Sequence, residues 1–452
     1  MNDVVIGVDG GTTAVKAVAF DLNGQIKASH HESVPVRYGA NGESEQDMAL
    51  LWEAVASCLR SVAEQVRGSR IVGVGLTGQG DGVWLVDADG EPVRPAANWM
   101  DGRAADRVDD WNLDGRGRAV LDVTGTTVFG GLFPVLYEEL AAAEPEAVAR
   151  ATSHLNCKDW IRFKLTGVRA TDFTEASRTF LDVATTSGYN EPLAEKLGLS
   201  DALKLLPEIR RPAGKASPVT EEAAEATGIP AGTPVGVGMI DVAVTGMGLG
   251  RIADGDSWLI LGTTGFVGTL LPSVAERRSD LSMVLATGEG TQVLEFMAPM
   301  TGTPNLDWIR STLGLEAQSW SEIEKMARTA GPGSHGVVYL PYASPGGERA
   351  PFLDTNASAS WQGMSLTSTR ADILRAVYEG VVFSLAECLN ALRITGPIVV
   401  SGGGFRSDLL CEILADVTAQ RVLRQDAPEA GARGAAVLRH QRGGADVPQH
   451  GQ

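Results

Sequence analysis

Apolar and polar positions fall along this chain in runs that recur. Val4-Val5-Ile6-Gly7-Val8 is short, apolar and β-branched and predicts a buried strand. Asp9-Gly10-Gly11-Thr12-Thr13 has the composition of a turn. The stretch 14–21 alternates and predicts a returning strand, and 26–28 opens a third after the turn at Gly24. Apolar residues at helical spacing predict a helix over 52–66, followed by a strand over 71–76. A related pattern returns later. Strand 258–261, turn 262–265 and strand 266–270 are followed by a helix over 371–392, a strand over 397–400, a turn over 401–404 and a helix over 407–418. Two halves with related openings predict a duplicated α/β domain. Its boundary is placed in the glycine-rich stretch 246–250, giving domains 1–246 and 247–452.

Bulk properties narrow the picture. The 452 residues are too many for one core and suit two domains. A net charge of −18 argues against nucleic acid and against an anionic membrane surface as partners, since both need clustered Lys and Arg. A phosphate ligand stays open, because backbone N–H groups bind phosphate even on an acidic protein. Cys58, Cys157, Cys388 and Cys411 lie far apart with no CxxC spacing. That argues against a disulfide framework or a zinc site and for a reducing cytosol. No signal peptide and no membrane span are expected, and the polar end, 443–452, is expected to be disordered.

The turns carry the candidate chemistry. Gly10, Gly11, Thr12 and Thr13 offer bare backbone N–H groups and two hydroxyls, the makings of an anion cradle. Asp9 is placed to hold Mg²⁺, directly or through water, and Lys16 on the returning strand adds a point charge. No GxxxxGK[ST] occurs, so this is not a Walker loop. A tight hairpin without a ligand is the competing reading. Recurrence of the turn at Gly262, Thr263 and Thr264 favours two hairpins that clamp a polyphosphate. Asp241 stands alone in an apolar, glycine-flanked run, which is costly for a carboxylate unless it is paired or used. It reads equally as a helix cap and as the group that accepts a proton from an attacking hydroxyl. Gly402, Gly403 and Gly404, with Arg406 and Ser407, link a strand to a helix start. The frame lacks the third glycine of a dinucleotide fingerprint, although Asp426 imitates its ribose acid, so a dehydrogenase is disfavoured. A nucleotide lying over bare glycines fits better, with tight strand-to-helix packing as the alternative.

Taken in order, these segments resemble the FGGY carbohydrate kinases, of the actin, hexokinase and heat-shock chaperone superfamily. Ile6 to Lys16 looks like the first phosphate motif. Lys158-Asp159-Trp160-Ile161-Arg162-Phe163 with Leu165-Thr166-Gly167 is similar to the first family signature, and Thr171-Asp172-Phe173-Thr174-Glu175-Ala176-Ser177 to the segment after it. Gly347-Glu348-Arg349-Ala350-Pro351 resembles a xylulokinase-like stretch, and Trp361-Gln362-Gly363-Met364 with Ala376-Val377-Tyr378-Glu379 the second signature. Gly402 to Ser407 looks like the adenosine motif, and Gly431-Ala432-Arg433-Gly434 like the start of the last helix. The resemblance implies two ribonuclease H-like α/β domains around a central cleft, with Mg·ATP mainly on the second and a sugar mainly on the first. It implies Asp241 as catalytic base, Asp9 as the metal-associated acid and 262–264 as the second phosphate loop.

For the sugar pocket, the resemblance points to Gln79, Gly80, Asp81, Trp99, Asp101, Arg103 and Asp241. Gly80 and Asp81 replace the Met and His of xylulokinases, a form more like kinases of L-xylulose, related keto-sugars and erythritol-type polyols. Trp99 would stack on a carbon chain, with Asp81 and Asp101 accepting bonds from hydroxyls. The glycerol kinase pattern is absent. The implied activity is ATP-dependent phosphorylation of a pentulose or a related polyol in the cytoplasm. An erythritol-type polyol kinase and a non-catalytic nucleotide-dependent binding module are the alternatives, and a homodimer is left open.

Overall fold

In a computed structural model that describes residues 2–344, 347–354, 356–425 and 429–440, the first apolar run is strand β1 (Asp3–Gly10), with Val4, Ile6 and Val8 in the core. The turn after it returns the chain as β2 (Ala14–Asp21), antiparallel to β1, and β3 (Ile26–Ser33) follows antiparallel at the sheet edge. Helix α1 (Met48–Gln65) starts earlier than its apolar spacing predicts, because the Asp47 carboxylate accepts the N–H groups of Ala49 and Leu50. It lays Leu51, Val55, Leu59 and Val62 on the sheet, and β4 (Arg70–Gly78) then runs parallel to β1. Helix α2 (Cys157–Thr166) carries the first family signature. β5 (Ser217–Pro218) and β6 (Pro234–Val235) extend the sheet past β4, and β7 (Met239–Ile240) pairs with β4 before leading into α3 (Asp241–Gly248).

The second half repeats this plan. β8 (Ser257–Leu261) and β9 (Gly265–Leu271) form an antiparallel pair, with β10 (Met283–Ala286) and β11 (Val293–Met297) beyond β9. After α4 (Arg370–Ala391), β12 (Ile398–Ser401) runs parallel to β8, then come α5 (Asp408–Thr418), β13 (Val422–Arg424) and α6 (Ala430–His440). The orders β4-β1-β2-β3 and β12-β8-β9-β11 match strand for strand, which is the expected pair of ribonuclease H-like sheets.

Helix α6 crosses back onto the first sheet, and glycines let it come close. A Cβ on Gly7 would sit 1.9 Å from the carbonyl oxygen of Ala432, and one on Gly75 1.9 Å from that of Ala435. Met239, Ala243 and Val244 share one core with Trp258, Phe266 and Leu294 of the second sheet and with Ala435 of α6. Helix α3 is therefore wedged between the halves. Asp426 and the stretch 443–452 lie outside the described residues. No helix among the described residues is long and apolar enough to cross a membrane, and the four cysteines are free.

Candidate active site

Asp241 is the first residue of α3 and not its cap. Ile240 holds the cap position, and Asp241 Oδ1 accepts the N–H of Val242 at 2.6 Å. This removes the capping alternative and leaves a carboxylate at the positive end of a helix. Burial nevertheless pushes its pKa from 3.8 to about 7, with Asp9 and Asp81 adding to the rise. Its backbone is pinned from below. Thr77 Oγ1 donates to the Met239 carbonyl (2.8 Å), and Thr174 Oγ1 accepts the N–H of Ile240 (3.0 Å). Thr174 donates in turn to Asp172 (2.7 Å), and Lys158 holds Asp172 at 2.9 Å and Asp159 at 2.5 Å. The signature residues of α2 and of 171–174 thus form a buried ion cluster under the segment that presents Asp241.

Above Asp241 lies a cavity of ≈200 Å³, with Thr12, Gln79 and Asp81 on one side and Thr264 on the other. Trp99 Nε1 donates to Thr12 Oγ1 (3.0 Å), Thr12 Oγ1 donates to Gln79 Oε1 (3.0 Å), and Gln79 Nε2 donates to Gln46 (2.6 Å). This chain turns the Thr12 hydroxyl toward Trp99 and Gln79 in the smaller cavity. Gly80 is required by packing, since a Cβ there would lie 1.9 Å from Ile240 Cδ1. Asp81, at φ 62°, is gripped by Arg178: Nε to Oδ1 is 2.7 Å and Nη2 to Oδ2 is 3.1 Å. Arg349 reaches the same cavity from the second half. Its Nε donates to the Ala298 carbonyl (2.6 Å), its guanidinium lies 5.6 Å from the centre of the Trp99 ring, and burial lowers its pKa.

A second cavity of ≈710 Å³ opens one turn further along α3, where Thr245 stands four residues after Asp241. Asp9 and Lys16 line it from the first half, and Gly402, Gly403 and Arg406 from the second, with Thr245 of α3 between them. Burial raises the Asp9 pKa to about 6, against the pull of Lys16 and with the push of Glu429. Lys16 pairs with Glu429 at 3.1 Å. Gly402 and Gly403 are exposed, so their backbone is bare toward the cavity.

Other expected residues stay away from both cavities. Asp101 is buried, accepting the N–H of Ser44 (2.9 Å) and two bonds from the Arg103 guanidinium, which also reaches Glu45 (2.7 Å). Both are held in this ion network and line neither cavity. Gly11 spends its N–H on Ala14 (3.0 Å) inside the turn, and Gly10 is packed against Ile161 and Cys157. Thr13 and Thr263 are exposed, and the Gly262 N–H bonds the Thr264 carbonyl (3.1 Å). Gly404 is packed on Leu261, and Ser407 caps α5 through the N–H of Leu410 (3.2 Å). Sequence reasoning missed Arg178 and Thr245 and left Arg349 without a role. Arg178 directly follows the quoted 171–177 segment and Arg349 lies inside 347–351, so the signal was adjacency to a motif.

Residues 4–248 match the N-terminal domain, and residues 258–439 the C-terminal domain, of the FGGY family of carbohydrate kinases. The chain is 34% identical over 458 residues to the erythritol kinase of Brucella abortus (strain 2308), covering 96% of this chain and 86% of that one. It is 30% identical over 439 residues to the probable L-xylulose kinase of Pasteurella multocida (strain Pm70), covering 96% and 89%. The crystal structure of gluconate kinase from Lactobacillus acidophilus superimposes with a TM-score of 0.91 at 26% identity, over 98% of this chain and 89% of that one.

Proposed function

Because the chain belongs to the FGGY family of carbohydrate kinases, whose members use ATP, we propose that it phosphorylates a hydroxyl of a short polyol of the erythritol type or of a related pentulose. The observation that carries the reading is the place of α3. Its first residue, Asp241, faces the smaller cavity and Thr245 faces the larger one, so one helix borders both reactants. The smaller cavity takes the sugar and the larger one the nucleotide.

In this reading Asp241 orients the acceptor hydroxyl and takes its proton. The freed oxygen forms a bond to the γ-phosphorus, the bond to the β-phosphate oxygen breaks, and ADP leaves. A buried carboxyl with a pKa near 7 suits that task better than one fixed at 3.8. Gly402 and Gly403 give the nucleotide a surface without side chains, and Thr264 borders the transferring group from the second half. Asp9 fits Mg²⁺ as an oxygen donor: burial pushes its pKa up to about 6 in spite of Lys16, so a cation would relieve a charge now disfavoured. When bound there, Mg²⁺ neutralises phosphate charge. Residues 1–246 supply the sugar side and 247–452 most of the nucleotide side.

The test measures ADP release from Mg·ATP over a panel of tetritols, pentitols and pentuloses, with wild type and Asp241→Asn. Turnover of a tetritol or pentulose well above the ATPase background, lost in Asp241→Asn, is expected. Full activity of the variant would sink the base assignment, and turnover confined to other sugars would sink the substrate class.

A further inference from the structure

The inward face of edge strand β3 breaks the pattern its position calls for. Ala28, His30, Glu32 and Val34 face inward along β3 and its continuation, alternating with exposed Ser29, His31 and Ser33. Ala28 and Val34 are buried, as a core face requires, but the two residues between them are polar and titratable. Polar groups at core-facing positions cost stability unless they have a use. Helix α1 presents Ser57 and Cys58 to them. The Ser57 hydroxyl donates to Glu32 Oε1, and Cys58 is fully buried.

His30 Nε2 lies 3.4 Å from Glu32 Oε1, and one ligand atom each from His30, Glu32 and Cys58 fall within 4.8 Å of one another. Nitrogen and oxygen ligands about 2.0–2.2 Å from a tetrahedral Zn²⁺ stand about 3.3–3.6 Å apart, so this edge already has the length of a zinc tetrahedron. Imidazole, carboxylate and thiolate together select Zn²⁺ over Mg²⁺. The absence of CxxC spacing, which argued against a zinc site in the sequence, bears on sites built from several cysteines; here one cysteine joins two ligands that a strand supplies. The thiol is the least ready of the three, since burial and Glu32 push it up to about 12, and binding must release its proton to solvent. None of the three residues lines either cleft cavity.

We infer that His30, Glu32 and Cys58 form a Zn²⁺ site that ties edge strand β3 to α1, with solvent in the fourth position. Ser57 donates to the same Glu32 oxygen that lies nearest His30 and so fixes the carboxylate, while the Cys58 thiol now donates to the Val15 carbonyl (3.7 Å), a bond it gives up on binding metal. The full chain, stripped of metal with a chelator and kept free of nucleotide, is titrated with Co²⁺ as a spectroscopic probe. One Co²⁺ per chain should produce a thiolate-to-cobalt charge-transfer band in the near ultraviolet, and added Zn²⁺ should remove it. Cys58→Ser should lose the band. His30→Gln, which keeps the thiol and alters a half-buried side chain, should weaken binding at least about tenfold. Zn²⁺ should raise the Tm of wild type and not of His30→Gln. A folded wild type without the band, or a band that survives Cys58→Ser, overturns the site. Should Cys58→Ser fail to fold, undiminished Co²⁺ affinity in His30→Gln overturns it alone.

Discussion

Arg178 closes both carboxylate oxygens of Asp81 in a two-point ion pair at the wall of the smaller cavity, 97 residues away in the chain. Asp81 was expected to read a sugar hydroxyl by itself. With its oxygens facing a guanidinium, it acts as half of a unit that presents a carboxylate edge and guanidinium N–H groups together. Nη1 of Arg178 also donates to Thr126 (3.0 Å), which fixes the plane of the pair.

The first prediction follows from that pairing. Asp81→Ala and Arg178→Ala should each lower kcat/KM for the true substrate by about 10–100-fold, since a bond to a charged group is worth roughly 1.5–3 kcal/mol. The double variant should lose little more than either single one, because the two act as one element. A full double-mutant cycle on kcat/KM, alongside the water-driven ATPase rate, measures this. Additive losses would mean that the two residues meet the sugar independently.

Asp241 gives a pH signature. Its pKa of about 7 means that the base is disarmed as pH falls through 7, so kcat/KM should drop tenfold per pH unit below that. The stability effect has the opposite sense. A carboxyl raised from 3.8 to about 7 by folding adds stability that is complete below pH 3.8 and lost as pH rises through 7. Asp241→Asn should therefore melt above wild type at pH 8 and level with it near pH 3.5, read by calorimetry at both values. An equal Tm at pH 8 would show that the carboxyl ionises normally.

What could be read from sequence was local. Asp9 and Asp241 end strands and begin turns or helices, and Gly402 and Gly403 follow a strand directly, so their neighbours in sequence are their neighbours in space. Asp101 looked equally available beside Trp99. Its burial depends on Ser44 and Glu45, more than 50 residues upstream, and no local pattern announces that pairing. Thr12 sits in a phosphate-like turn, yet distant Trp99 and Gln79 decide where its hydroxyl points. The two sheets were legible because period-2 and helical spacings repeat in both halves. The return of α6 onto β1 and β4 was not, because it is encoded only by small residues at Gly7, Gly75 and the helix face.

Asp9 lines the larger cavity from the first half, and Thr264 lines the smaller one from the second. Asp9→Asn should raise the Mg²⁺ concentration needed for half-maximal rate and lower kcat, because a neutral amide holds a hard cation less well. Thr264→Val, at the wall of the smaller cavity, should lower kcat and raise the sugar KM with little effect on nucleotide affinity. Nucleotide titration calorimetry at several Mg²⁺ concentrations, beside steady-state kinetics, separates the two, and nucleotide affinity lost in Thr264→Val at an unchanged sugar KM would assign Thr264 to the nucleotide instead.

Arg349 joins the halves at the smaller cavity. It is anchored in the second half by Ala298, while Glu348 beside it accepts the N–H groups of Met300 (2.6 Å) and Thr301 (3.3 Å). Its guanidinium lies over Trp99 of the first half. Arg349→Ala should raise the sugar KM by about 10–100-fold and leave the ATP KM within about twofold. Arg349→Lys should recover little, because an ammonium cannot lie flat over the ring as a guanidinium does while donating to the Ala298 carbonyl. Steady-state kinetics with each substrate varied in turn decides it. An equal rise in the ATP KM would instead assign Arg349 to domain closure in general.

The Lys158 cluster tests how the base is held. Lys158 is fully buried between Asp159 and Asp172, which raise its pKa against the opposing effect of burial. Lys158→Met leaves two carboxylates without their cation, and breaking a buried pair in this way costs about 3–5 kcal/mol. The Tm should fall by many degrees, or the chain should fail to fold. Thr174→Val is the gentler probe. It removes both the acceptor of the Ile240 N–H and the hydroxyl that donates to Asp172, at a cost of about 1–3 kcal/mol for each group left unpaired. If the cluster positions Asp241, this variant should fold, bind sugar and nucleotide with near-normal KM, and lose kcat by about tenfold or more, since a shifted base is felt only in the transition state. A Thr174→Val enzyme of lower Tm but unchanged kcat would make the cluster a stabilising feature of the fold with no hold on the base.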